Sequence, residues 1–177
     1  GKRPFSLLTA LLLAWLAGMA PASAQTRRLN VVCSVQIEWC ELVRKAYQQA
    51  TGVRMAVIHR SSIEALALLM SERKNPRTDV WFGGTGDPHL QAAEQGLTVE
   101  YRSQQFDNLY PWAQAQARRG AYPTVGLYTG VLGIAYSRDQ LRRLGGPPPR
   151  CWRDLLEPRF ERQVMMGNPT SSGTGYL

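Results

Sequence analysis

At 177 residues the chain is long enough for one medium domain, or for one lobe and part of a second. Its 44% hydrophobic content against 19% charge excludes a polar disordered chain, and its 16 Gly and 11 Pro follow no collagen-like period. A balance of 21 basic against 13 acidic residues, or +8, raises nucleic acid as a partner class, so the placement of that charge matters.

The first element is a leader. Lys2-Arg3 is a short positive start, residues 5–16 form a nearly unbroken apolar run, and Pro21 ends it. Ala22-Ser23-Ala24 then supplies small residues where a signal peptidase cuts, so residues 1–24 are expected to be a secretory signal cleaved after Ala24. The run is shorter than the ~20 residues of a membrane anchor. Leu16-Ala17-Gly18 is followed by Met19, not the Cys that lipoprotein acylation needs, so a soluble exported protein is expected. Taking Lys2 and Arg3 off the 21 basic residues leaves 19 against 13 acidic, a mature balance of +6. Its Arg27-Arg28, Arg118-Arg119 and Arg142-Arg143 pairs are isolated, with no basic helix or interleaved aromatic array. The charge reads as a solvated exterior, and nucleic acid as the wrong partner class. The absent initiator Met predicts an N-terminus that is not the natural start.

Residues 29–35 read as a strand, and residues 37–50 have helical spacing with Trp39, Leu42, Val43 and Ala46 on one side and Gly52 as the stop. Cys33 and Cys40 flank that junction. In an oxidising compartment they are expected to pair, which would stabilise by about 2.5 kcal/mol in the chain-entropy account; two packed thiols are the alternative. A second Cys or His pair at zinc spacing is missing. Cys151, remote from both, is expected to be a buried free thiol.

Residues 53–58 form the next strand candidate, rich in β-branched side chains. Ser61-x-x-Glu64 is a capping box that opens an apolar helix running to Met70, and Pro76 stops the unit. Residues 79–82 give a third strand, and Asp87-Pro88 caps a helix that Gly96 ends. This alternation predicts an α/β fold with a parallel sheet and right-handed crossovers; no repeat or sustained heptad competes with it. Further on, residues 125–128, 131–136 and 163–166 are strand candidates, residues 138–144 a short helix, 145–149 a stiff turn, and 152–156 a helical turn. Residues 168–175 are cap and turn residues that lead towards a helix where the chain stops, so the core is expected to continue beyond it.

Four segments share one design, a strand end followed by small polar residues and a helix start. They hold Ser34, Ser62, Gly84 with Thr85, and Ser171, Ser172, Gly173 and Thr174. Strand C-termini of a parallel sheet lie along one edge, where ligands bind. Helix N-termini carry free N–H groups and partial positive charge, suited to anions, and Ser and Thr add hydroxyl donors. Taken singly each segment is an ordinary cap; the run at 170–174 holds more small donors than one cap uses. Chemistry to transform a ligand is missing. Gly84-Thr85-Gly86 lacks the third glycine of a dinucleotide loop, no phosphate-loop lysine motif occurs, and no G-x-S-x-G elbow marks a hydrolase. His59 and His89 stand near no nucleophile motif.

Leu29-Asn30-Val31-Val32, Asp79-Val80-Trp81-Phe82-Gly83-Gly84, Gly133-Ile134-Ala135-Tyr136 and Asn168-Pro169-Thr170-Ser171-Ser172-Gly173-Thr174, behind a signal, resemble an extracellular solute-binding protein of an ABC importer. The similar branch includes ferric-iron, thiamine and sugar-phosphate or phosphonate binders. The resemblance implies a type II periplasmic-binding-protein fold of two α/β lobes with the solute in the cleft between them. It places a first lobe at residues 25–128, and at 129–177 the crossover with the opening of an incomplete second lobe. It also implies a periplasmic, monomeric binder without cofactor, not an enzyme, that hands its solute to a membrane permease with its ATPase. Ser34, Ser62, Gly84 and Thr85 would contact the solute from the first lobe, and Ser171, Ser172, Gly173 and Thr174 from the second. Iron binders of this kind carry a His after the first strand and a carboxylate after the third. Here those loops carry Ser34 and Gly84-Thr85, which favours an anionic phosphate, phosphonate or carboxylate group over iron. Iron or thiamine remains the alternative solute, and an exported hydrolase a remote one.

Overall fold

A computed structural model describes residues 28–119 and 123–176. The expected secretory signal and its cleavage point after Ala24 lie outside the described residues.

Strand β1 (Arg28–Cys33) is followed by helix α1 (Ile37–Thr51), β2 (Arg54–His59), α2 (Ser62–Ser71), β3 (Val80–Phe82) and α3 (Gly86–Glu94). The three strands are parallel in the order β2-β1-β3, which puts β1 at the centre. Its Val31, Val32 and Cys33 are buried, as a strand covered on both faces requires. The expected alternation and sheet direction are thus what the chain adopts.

Local chemistry explains the boundaries. Gly52, in the left-handed conformation, closes α1. Ser61 and Glu64 complete a reciprocal capping box at α2. At α3 the capping position is Thr85, and Asp87 lies within the first turn instead of preceding it. The buried member of α1 is Cys40, whereas Trp39 and Leu42 are 50% and 67% exposed. Of the expected apolar side, Trp39, Leu42 and Ala46 are thus exposed and Val43 is half-buried. The Cys33–Cys40 disulfide is formed, with Cα atoms 6.1 Å apart.

Beyond α3 come a short 3-10 turn (Phe106–Asn108) and helix α4 (Pro111–Arg118), neither expected from sequence. Pro111 at its first turn and buried Ala113 and Ala117, one turn apart, account for α4. Helix α5 (Arg138–Leu144) and the turns Trp152–Leu156 and Pro158–Phe160 follow, then α6 (Gly173–Tyr176). Residues 125–128, 131–136 and 163–166 are not strands: among the described residues no partner ladder meets them, and Val131 and Met165 are wholly or almost wholly exposed. Cys151 is a free thiol but an exposed one. It caps the turn that follows, with its backbone N–H and its Sγ both directed to the Asp154 carboxylate.

Candidate functional site

The parallel sheet brings the ends of β1, β2 and β3 to one edge, and three of the four small-residue loops meet there. Ser34 continues the ladder beyond β1, donating its N–H to the Phe82 carbonyl at 2.9 Å. Its Oγ accepts the indole N–H of Trp81 at 2.9 Å. Ser62, in the first turn of α2, is buried, and its Oγ accepts the Thr85 N–H at 3.0 Å. Gly84 lies between them with φ +98°, a conformation L side chains rarely adopt. A Cβ there would stand 2.5 Å from Ser62 Oγ and 3.0 Å from Ser34 Cβ, so the close approach of both serines depends on the missing side chain.

Two aromatic side chains clasp this turn. The Tyr128 hydroxyl accepts the Gly84 N–H at 3.0 Å and donates back to the Gly84 carbonyl at 3.3 Å. On the other side His89 lies 2.8 Å from the Gly83 carbonyl through Nε2. A carbonyl only accepts, so Nε2 carries the hydrogen. The His89 ring stacks on Trp81 with centroids 3.7 Å apart, and Tyr128 meets Trp39 edge-on at 5.7 Å. Burial pushes the His89 pKa below its ordinary value, with the Gly83 carbonyl opposing the shift.

The fourth loop reaches the same place through one residue. Gly173, buried at the start of α6, packs so closely that a Cβ would stand 2.6 Å from Thr85 Oγ1 and 2.8 Å from Ser62 Oγ. Thr85 Oγ1 is itself buried and has no hydrogen-bond partner among the described residues. The loop before Gly173 is held by Asn168, whose carbonyl accepts the N–H groups of Ser171 and Ser172 and whose side chain accepts from Thr170. Ser172 Oγ accepts the Gly175 N–H at 3.2 Å, and Thr174 is exposed. Ser34, Ser62, Gly84, Thr85 and Gly173 thus converge, while the polar contacts of Ser171 and Ser172 stay within their own loop.

Ser34, Ser62 and Ser172 all use their hydroxyl oxygens as acceptors from N–H groups, so among the described residues each keeps a hydroxyl hydrogen, and one further lone pair, for another partner. Among the described residues no three His, Cys, Asp or Glu side chains gather as a metal site would need. Trp81, His89 and Tyr128 were not apparent from the sequence. The first two lie in a strand–turn–helix unit, but nothing in their spacing marks a stack, and the partner of Tyr128 is set by the path of the chain.

Residues 79–177 match the family of bacterial extracellular solute-binding proteins. The chain is 38% identical over 176 residues to an uncharacterised protein of Haemophilus influenzae, covering 99% of this chain and 51% of that one. It is 26% identical over 172 residues to a Salmonella typhimurium protein that carries the provisional name 2-aminoethylphosphonate-binding periplasmic protein, covering 92% and 47%. Among solved structures, the periplasmic binding protein P5PA is similar with a TM-score of 0.79 and 33% identity, over 83% of this chain and 47% of that one. The periplasmic binding protein AfuA from Actinobacillus pleuropneumoniae, with exogenous fructose-6-phosphate bound, gives 0.77 and 35% over 82% and 46%. The chain spans about half the length of the curated relatives it matches.

Proposed function

Since the chain belongs to the family of bacterial extracellular solute-binding proteins, we propose that it captures a small anionic solute, phosphate-, phosphonate- or carboxylate-bearing, for an ABC importer. It works in the periplasm as a monomer after cleavage behind Ala24. Residues 25–128 are the first lobe and 129–177 the crossover and opening of the second. The lobes close over the solute, and the loaded form is presented to the permease and its ATPase. The protein binds and releases, and leaves its ligand chemically unchanged.

The observation that carries the anionic reading is the polarity of the serines. Ser34 Oγ accepts from Trp81 and Ser62 Oγ from Thr85, and each keeps an O–H to donate. Donors without a negative side chain among them favour an oxyanion over an amine or a cation. Thr85 Oγ1, buried beside Ser62 without a partner among the described residues, is a further donor in need of an acceptor. Ser171, Ser172, Gly173 and Thr174 supply the facing wall from the second lobe. The provisional name of the Salmonella relative and the sugar phosphate bound to AfuA support the same solute class.

Thermal melts of the two-lobed protein against fructose-6-phosphate, 2-aminoethylphosphonate, inorganic phosphate, thiamine, ferric iron and polyamines test this. A solute at a hundred times its Kd adds about 2.7 kcal/mol of stability. The expected result is a shift with a phosphorylated or phosphonate solute, lost in Ser62→Ala. A shift with polyamines alone overturns it.

A further inference from the structure

We propose that Trp81 and His89 are positioning residues for this site, setting the direction in which Ser34 offers its hydroxyl hydrogen. The inference rests on the anion reading above and names what enforces it. A serine hydroxyl left to itself rotates, and can present either a hydrogen or a lone pair to a ligand. Ser34 has that choice narrowed, since one of its two acceptor positions is already taken. The indole N–H of Trp81, reaching across from the neighbouring strand at 2.9 Å, occupies an acceptor position on Ser34 Oγ. The indole nitrogen donates and never accepts, so the contact has only one polarity.

His89 holds the indole in place. Its ring lies 3.7 Å from that of Trp81 at an interplanar angle of 23°, a stacked contact that fixes the plane from which the N–H projects. The same imidazole donates to the Gly83 carbonyl at 2.8 Å, tying the indole to the turn that carries Gly84. One side chain of α3 thereby links the two sides of the site, the hydroxyl after β1 and the glycine turn after β3. Neither residue needs to touch the solute. Their effect passes through Ser34 and Gly84.

The test uses the full-length two-lobed protein, with fructose-6-phosphate and 2-aminoethylphosphonate as probes and binding followed by calorimetry. Trp81→Phe keeps an aromatic ring for the stack and removes only the N–H. It is expected to weaken binding of the bound probe by roughly tenfold, the scale of one hydrogen bond. Ser34→Ala is expected to cost a similar factor, and the double variant no more than Ser34→Ala alone, since Trp81 acts through that hydroxyl. His89→Phe, which keeps a ring stacked on the indole, is expected to bind within about threefold of wild type, while His89→Ala falls by roughly tenfold. A Trp81→Phe loss that multiplies in full on Ser34→Ala overturns the proposal. So does a His89→Phe variant as weak as His89→Ala, and that pair decides alone if Trp81→Phe does not fold. Wild-type protein that binds neither probe overturns the anion reading itself, an outcome separate from equal binding by all variants.

Discussion

Thr85 and Gly173 face each other so closely that a single methyl group would not fit between them: a Cβ on Gly173 would stand 2.6 Å from Thr85 Oγ1. The same methyl would lie 2.8 Å from Ser62 Oγ. The capping residue of α3 and the first residue of α6 therefore share one wall of the site. Gly173→Ala is expected to destabilise the fold by about 1–3 kcal/mol through overpacking. It should also remove most of the solute-induced melting shift. Melts with and without fructose-6-phosphate read both effects, and an unchanged shift contradicts the shared wall.

His89 is a half-buried titratable group beside the site, and desolvation holds its pKa below the ordinary 6.5, against the pull of the Gly83 carbonyl. The unfolded chain then binds this proton more readily than the folded one. The resulting stabilisation is present above 6.5, and is lost as pH falls from there through the lowered folded value. Denaturant melts at descending pH should show His89→Gln falling less steeply than wild type over that interval. Parallel curves for the two proteins would contradict the sign.

The Ser61–Glu64 box governs the start of α2, and through it the position of Ser62. Ser61→Ala is expected to cost about 1 kcal/mol, read by urea unfolding. The Ser61 N–H, and then its hydroxyl, hold the Glu64 carboxyl below its usual 4.5. The contribution of that carboxylate is therefore present above 4.5 and disappears as pH falls through the lowered folded value. Glu64→Gln should show a shallower acid loss than wild type over that range.

Thiol titration of denatured, unreduced protein made in an oxidising compartment should find one free thiol, that of Cys151. Because Cys151 is exposed, the folded protein should react to the same extent. Three thiols would contradict the pairing. Replacing Cys33 and Cys40 together by Ser should lower stability by about 2.5 kcal/mol.

Features governed by neighbours in the chain were readable from sequence. The Ser61–Glu64 box, the stop at Gly52 and the β-branched run of β2 are local, and each appears where its chemistry predicts. The edge at which Ser34, Ser62, Gly84 and Thr85 meet follows from the parallel order of the strands, itself implied by their alternation with helices. What was not legible depends on partners distant in sequence. Apolarity alone makes no strand of residues 131–136, because a ladder needs a second chain segment beside it. The Tyr128 hydroxyl finds Gly84 only through the path of the intervening chain. The burial expected for Cys151 rested on thiol hydrophobicity, whereas its polar bonds to Asp154 keep it at the surface. Trp39 and Leu42 mislead for a related reason, since helical spacing groups them on one side without saying what covers it, and both are exposed.

Cys33 and Cys40 retain only 1% and 2% of their surface, so a reductant in solution cannot reach their sulfurs while the corner between β1 and α1 is shut. Thiol–disulfide exchange needs a direct line of attack, and here that line opens only when the corner itself opens. The bond thus behaves as a clock built into the binding edge. Its lifetime in excess thiol counts how often the segment bearing Ser34 lets go. A solute seated on Ser34 is expected to slow that clock, which would let occupancy be timed from the appearance of free sulfur without labelling the protein or the solute.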